Sequence, residues 1–238
     1  MSRRNVALLA VPLLVACSSS PAPETPTDDG PSHAASHHQG SGVGVEADIG
    51  ALNEGQVTST FQKAQGAFGR CVDSGRSRLP YLSGTVHFKV RVGSSGKANA
   101  AFLTRSSLGD RDTEACMLEA LKRASWPEPV GGKEGIAETE FTFDPDGSVR
   151  LPVEWSPEDA GKNVRSAKEA VAKCARSAGA GHVTATLYVE TDGSVLSVGL
   201  SGDDDAIEGA ASCVVSALKE VKFNSPGSFA AKLVLTGT

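Results

Sequence analysis

Four cysteines are the side chains with the clearest chemical potential in this sequence: Cys71, Cys116, Cys174 and Cys213. Four cysteine sulfurs can ligate one zinc ion or close two disulfide bonds. Structural zinc sites typically contain a C-x-x-C pair, and the chain has no such pair. The spacing therefore favours disulfides over zinc, in keeping with small exported domains whose cores are thin.

Other candidate nucleophiles and ligands lack the context that their chemistry needs. Residues 94–97 and 216–219 match S-x-x-K, the nucleophile motif of penicillin-recognising enzymes, but the first lies in a predicted turn and neither has an S-D-N or K-T-G partner. The acidic run 203–205 lacks the spacing of a calcium loop and better suits a helix N-terminus. His87 and His182 have no evident base or nucleophile nearby. We expect no catalytic residue, no metal site among these groups and no cofactor.

The fifth cysteine, Cys17, ends a short apolar stretch near the N-terminus. Two arginines precede apolar residues 6–15, which run into the tetrapeptide L-V-A-C. This segment resembles the lipobox of bacterial lipoproteins, in which the cysteine receives a diacylglycerol after the signal peptide is removed. The resemblance implies a signal peptide over 1–16, a membrane anchor at Cys17 and a place in the cell envelope, at the outer membrane facing the periplasm.

Residues 17–50 have the composition of a disordered stalk. They are rich in Ser, Pro, Gly, Thr, Asp and His, which bury too little apolar surface to offset the entropy of ordering. Three stalk histidines, His33, His37 and His38, leave open an alternative role in binding a metal or a small ligand. The formal net charge of −5 gives no electrostatic footprint for DNA or RNA, so we expect no nucleic-acid partner.

An internal repeat organises the remainder of the chain. Intervals of 12, 20, 10 and 3 positions separate five residues of the first copy, and the same intervals separate five residues of the second. These residues are Gly84, Gly96, Cys116, Trp126 and Pro129, and Gly181, Gly193, Cys213, Phe223 and Pro226. The repeat predicts a first domain over 51–145, a linker over 146–161 and a second domain over 162–238.

Hydrophobic periodicity predicts the order α-β-β-α-β in each copy. The predicted elements of the first copy are 57–72, 85–92, 97–104, 113–124 with Asp110 or Asp112 as its cap, and 139–143; those of the second are 164–174, 183–189, 195–200, 204–221 and 231–235. A second helix of about 14 residues spans about 21 Å and returns the chain, so the third strand lies beside the first. The predicted fold is α+β, with two tandem domains that each carry a three-stranded antiparallel sheet, in the order 2-1-3, packed by two helices.

These elements also pair the cysteines. In each copy both cysteines lie on or beside the inward faces of two helices that pack on the same side of the sheet. We predict the disulfides Cys71–Cys116 and Cys174–Cys213. Each closes a loop of about 40 residues, and loop entropy then contributes roughly 4 kcal/mol per disulfide.

The repeat resembles a known family of binding domains. A helix ending in Cys, then G-x-V-x-F-x-V at 84–90, a helix containing Cys116, and W-P-E-P before an F-x-F strand are similar to the TonB C-terminal fold, and more narrowly to its AgmX/PglI C-terminal type. The resemblance covers 52–143 and 163–236. It implies a domain that is not an enzyme and acts through protein contacts in the periplasm.

The third strand of each predicted sheet is an edge, which either offers unpaired backbone groups to an extended segment or, in the first copy, is blunted by Glu138 and Glu140. The candidate partner-binding residues are Thr139, Phe141, Thr142, Phe143, Lys232 and Val234. The expected function is that of an envelope adaptor or scaffold whose partners are envelope proteins, engaged by strand addition. A structural or peptidoglycan-associated lipoprotein is the alternative. The outward stripe of His87, Lys89 and Arg91 is either a solvated face or a surface that docks an acidic partner or the acidic turn of the second copy.

Overall fold

The computed structural model describes residues 47–145 and 147–237, so Cys17 and the stalk histidines lie outside the described residues. Its elements are β1 Ala47–Gly50, α1 Glu54–Arg76, β2 Gly84–Gly93, β3 Ala98–Ser106, α2 Arg111–Lys122, β4 Gly132–Phe143, β5 Val153–Trp155, α3 Val164–Ala178, β6 Val183–Val189, β7 Val195–Gly202, α4 Ile207–Lys219 and β8 Ala231–Gly237. Every helix and strand predicted from periodicity is present. Within these residues no helix is long and apolar enough to span a membrane.

Each repeat forms its own sheet, in the orders β1-β4-β2-β3 and β5-β8-β6-β7. The predicted antiparallel core in the order 2-1-3 is confirmed, as β3-β2-β4 and β7-β6-β8. The prediction of three-stranded, wholly antiparallel sheets is wrong, because a short parallel strand extends each sheet: β1 along β4 and β5 along β8. β1 and β5 arise from the segments assigned to the stalk and the linker. Strands of four and three residues are too short for an alternating pattern to reveal them.

Two helices cover one face of each sheet. α1 begins at an N-cap, where the Asn53 side chain accepts a hydrogen bond from the Gln56 N–H, and α2 begins where Asp110 does the same for Thr113, as one of the two predicted caps. The buried faces of α1 and α2 meet the inward residues of β2, among them Phe88. The second repeat repeats this packing with smaller side chains, mainly Val, Ala and Leu.

Both predicted disulfides are present, Cys71–Cys116 between α1 and α2 and Cys174–Cys213 between α3 and α4. Their Cα–Cα distances are 5.8 and 5.7 Å. In each bond one cysteine is buried, Cys71 or Cys174, and the other is exposed. The bonds therefore hold each pair of helices together at the outer surface of the domain.

The shared spacing of the repeats has a structural cause in the β2–β3 and β6–β7 turns. Gly96 and Gly193 have φ values of +67° and +85°, which favour glycine. Each carbonyl accepts a backbone hydrogen bond of 2.9 Å, from Trp126 and Phe223 respectively. A Cβ would lie 2.5 Å from the Trp126 carbonyl oxygen and 2.2 Å from that of Phe223. The number of residues between the glycine and the aromatic residue is therefore the same in both copies because the same close backbone contact joins them.

The two repeats pack together as one compact unit and exchange aromatic side chains. Phe102 of β3 is buried in the core of the second repeat, and Tyr188 of β6 is buried in the core of the first. Arg91 contacts Asp205 at 3.0 Å, so this residue of the outward basic stripe is paired with an acidic segment of the second repeat. The junction therefore combines buried aromatic side chains with this ion pair.

Candidate docking edge of β4

A long stretch of β4 forms a sheet edge that no other strand covers in the described residues. β1 pairs with Gly132, Glu134 and Gly135, and the chain then leaves the sheet because α1 begins at Glu54. From Ile136 to Phe143, β4 pairs with β2 alone among the described residues. This stretch contains four of the predicted partner-binding residues, Thr139, Phe141, Thr142 and Phe143.

The hydrogen bonds of β2 show which backbone groups of β4 face this edge. The Thr85 carbonyl accepts a hydrogen bond of 2.9 Å from the Ser107 N–H, so the backbone of Thr85 faces β3 and that of Val86 faces β4. Val86 pairs with Phe141, whose N–H and C=O therefore face β2. Its neighbours Glu140 and Thr142, and Glu138 by the same alternation, direct their N–H and C=O groups away from the sheet.

The open face beside this edge, which carries no helix, is acidic. Glu134 forms a two-pronged pair with Arg91, and the hydrogen bond from Arg91 lowers the pKa of the Glu134 carboxyl. Glu138 lies 3.0 Å from the Lys89 ammonium. Glu140 is exposed and forms no ion pair with any described residue. The acidity at the open edge is thus concentrated at Glu140.

The opposite face of the same edge is aromatic. Phe141 and Phe143 are half-buried, with ring centroids 6.5 Å apart. Phe68 of α1 holds Phe141 in place, with an edge-to-face contact of 5.2 Å between ring centroids. The disulfide Cys71–Cys116 is one helical turn further along α1, so it braces the helix that supports these rings. The edge therefore combines free backbone groups with an apolar surface.

The equivalent edge of the second repeat is shorter. β5 covers β8 as far as Leu233, which leaves Val234–Gly237 uncovered among the described residues, with Val234 exposed by 42%. Lys232 is not at a free edge, which corrects its place among the predicted partner-binding residues. It pairs with Glu154, and its ammonium is buried at the junction, where it donates to the carbonyls of Ser83 and Ser107 at 2.9 and 3.0 Å.

The junction contains a buried acid that the sequence did not reveal. Glu114 of α2 is fully buried; one carboxylate oxygen accepts from the Ser106 hydroxyl at 2.6 Å and the other from the Leu200 N–H at 2.8 Å. Burial raises the pKa of the Glu114 carboxyl to about 7, the hydrogen bonds and Arg111 oppose that rise, and Asp110 adds to it. Glu114 lies on a helix that the hydrophobic pattern already explains, so no sequence signal marks it.

A cleft lies between the open faces of the two sheets. It has a volume of about 560 Å³, and seven Ser and Thr side chains line it together with His87, His182 and Glu140. The His87 ring forms a hydrogen bond of 2.6 Å, between its Nδ1 atom and the Thr104 hydroxyl. Within the described residues no group of three His, Cys, Asp or Glu is placed to hold a metal ion.

The two S-x-x-K matches and the acidic run 203–205 lie in a turn, on a helix and before a helix, as the sequence predicted. Ser94–Lys97 form the β2–β3 turn, closed by a hydrogen bond of 2.8 Å from the Gly93 N–H to the Lys97 carbonyl. Ser216 lies exposed on α4. Asp204 lies just before α4, where its carboxylate accepts a hydrogen bond of 3.0 Å from the Ala206 N–H.

No protein-family model, no curated protein and no solved structure was found to match this chain.

Proposed function

We propose that this chain is an envelope lipoprotein that acts as a protein–protein adaptor, by accepting an extended segment of a partner as a new strand beside β4. One observation carries the proposal. Glu138, Glu140 and Thr142 present successive pairs of backbone donors and acceptors along an edge that no described strand covers. Main-chain hydrogen bonds of this kind supply affinity when a peptide extends a sheet.

Two further features support an edge kept for binding. β1 covers only one end of β4, and Glu138 and Glu140 charge the remainder, which disfavours pairing with like-charged strands and leaves the edge open to a partner of opposite charge. The half-buried Phe141 and Phe143 add an apolar surface for every second side chain of an incoming strand. The lipobox at Cys17 and the resemblance to TonB C-terminal domains favour a periplasmic setting, in which two disulfides persist.

Photocrosslinking in living cells tests this function. A photoreactive amino acid at Thr142 on the free edge should yield discrete protein adducts, and one at Val234 tests the shorter edge of β8. Arg70 is the matched control because it is exposed and lies on a helix, α1, which has no free strand edge. Adducts that are equal at Thr142 and Arg70, or none at Thr142, would refute docking at β4. Adducts to cell wall alone would favour the structural, peptidoglycan-associated alternative.

The cleft between the open faces of the two sheets supports a second candidate, the binding of a small ligand that carries polar groups. Its hydroxyl groups and two histidines offer hydrogen-bond donors and acceptors beside apolar surface such as the Val234 side chain. Titration of the labelled protein with small-molecule extracts, followed by NMR, would shift the His87 and His182 signals if this function holds. The signals of Phe141 and Phe143, which lie on the opposite, helix-covered face of β4, would stay unchanged in that case, which separates the two functions.

A further inference from the structure

The side chains that flank the free edge differ on its two faces, and this difference restricts the partner. A strand added beside β4 places its own side chains alternately on the same two faces, each directly opposite a β4 residue. On the open face these opposing residues are Glu138 and Glu140. On the helix-covered face they are Thr139, Phe141 and Phe143.

The acidic face favours basic side chains in the partner. Opposite charges directly across two strands stabilise the pair and like charges destabilise it. Glu138 already has Lys89 at 3.0 Å, whereas Glu140 has no ion-pair partner among the described residues. A basic residue opposite Glu140 would therefore gain the most.

The aromatic face favours apolar side chains at the alternate positions. Phe141 and Phe143 expose part of their rings beside the edge, and Phe68 packs edge to face against Phe141. Covering those rings with an aliphatic or aromatic side chain removes apolar surface from water.

Charge argues against two other occupants of this edge. A second copy of β4 would bring Glu138 and Glu140 against the same residues of its partner, in either strand direction. The chain's own residues 17–46 contain four carboxylates and no Lys or Arg. Neither of these segments supplies the positive charge that Glu140 lacks.

We propose that the segment recognised at β4 belongs to another protein and alternates basic with apolar residues, with its basic side chains on the face of Glu138 and Glu140. This inference rests on the proposed function, because it names the partner of the same edge. It gives the partner a sequence pattern that can be searched for, of the form basic-apolar-basic-apolar over about six residues.

Synthetic peptides and the purified full-length chain test the pattern. The probes are fluorescent nine-residue peptides in which Val alternates with Lys, with Glu or with Ser, together with a peptide that has the Lys composition in non-alternating order. We expect the alternating Lys peptide to bind at least about tenfold more tightly than the Glu peptide, with a smaller difference at high salt. The Glu140→Lys variant, changed at an exposed side chain, should reverse that preference.

Amide hydrogen exchange shows where the peptide binds. The amides of Glu138, Glu140 and Thr142 face the edge and should gain protection, while those of Thr139 and Phe141 already pair with β2 and should change little. The Glu140→Pro variant removes one edge-facing N–H without breaking the β2 ladder, so it should weaken every peptide that binds here.

The outcomes separate this inference from the proposed function. If the Ser and Glu peptides protect the same three amides as strongly as the Lys peptide, the charge pattern is refuted and strand addition stands. If the non-alternating Lys peptide binds as well as the alternating one, the pattern is likewise refuted. If no peptide protects these amides and Thr142 yields no adduct in cells, both proposals fail.

Discussion

Arg111 and Glu208 form an ion pair of 2.7 Å across the junction, and they occupy the same position in the two repeats. The two residues are 97 positions apart, the same distance that separates Gly84 from Gly181 and Cys116 from Cys213. Both lie in the first turn of the second helix of their repeat. A contact between equivalent residues is what a two-fold symmetric dimer makes on its axis, so the repeats pack as a pseudo-dimer within one chain.

A double-mutant cycle measures this pair. Both side chains are partly buried, so we expect Arg111→Ala, Glu208→Ala and the double variant to give a coupling free energy of about 1 kcal/mol in urea unfolding. The matched control is Glu119 with Lys122, an exposed pair within α2, which should couple by no more than about 0.5 kcal/mol. Equal coupling in the two cycles would contradict a specific role for the junction pair.

Glu114 makes the stability of the protein depend on pH. Its pKa is raised to about 7 in the folded protein from 4.5, so the folded state binds a proton more tightly than the unfolded chain does. The stability due to this group is complete below about pH 4.5 and is lost as the pH rises through about 7. Over that window we expect the free energy of unfolding to fall by about 3 kcal/mol from this group.

The Glu114→Gln variant tests this dependence. An amide keeps an acceptor for the Leu200 N–H and cannot ionise, so the variant should lose this fall between pH 5 and 8 and exceed the natural protein in stability at pH 8. Denaturant unfolding at a series of pH values measures the effect. A natural protein whose stability rises or stays flat over the same window, in parallel with the variant, would show that Glu114 does not titrate there.

Gly96 should not tolerate a side chain, because a Cβ would collide with the backbone of Trp126. Gly131 is the control that separates this steric effect from the effect of positive φ. Both have positive φ, +67° and +79°, but a Cβ on Gly96 would lie 2.5 Å from the Trp126 carbonyl oxygen, whereas Gly131 has open space around it. We expect Gly131→Ala to cost about 1 kcal/mol and Gly96→Ala at least about 3 kcal/mol, as measured by thermal unfolding. Equal losses would mean that backbone conformation alone accounts for the glycine.

The sequence predicted those parts of the fold that leave a periodic or repeated pattern. Val86, Phe88 and Val90 alternate with polar residues and define β2, and the spacing from Gly96 to Trp126 recurs from Gly193 to Phe223 because the same backbone contact recurs. The two disulfides followed from helix faces. Patterns of this kind are local, so they can be read without knowledge of what packs against them.

The junction between the repeats could not be predicted in the same way. Phe102 packs in the core of the second repeat and Tyr188 in the core of the first. These contacts depend on how the two sheets are placed relative to each other. Tyr188 did carry a signal, because a large aromatic residue on the outward face of β6 points to a buried interface. The parallel strands β1 and β5 carried none, and they decide how much of each edge remains free.

Reduction of the disulfides should be possible without unfolding and should lower stability strongly. Cys116 and Cys213 are exposed, so a small thiol can reach both bonds in the folded state. The loops close over 45 and 39 positions, and loop entropy predicts a loss of roughly 4 kcal/mol for each bond removed. Urea unfolding with and without dithiothreitol, and with Cys71→Ser/Cys116→Ser and Cys174→Ser/Cys213→Ser variants, would measure the two contributions separately.

Because Cys71–Cys116 braces the helix behind Phe141, its loss should weaken docking at β4 more than the loss of Cys174–Cys213. Equal effects of the two double variants on adduct formation at Thr142 would contradict that link between the disulfide and the edge.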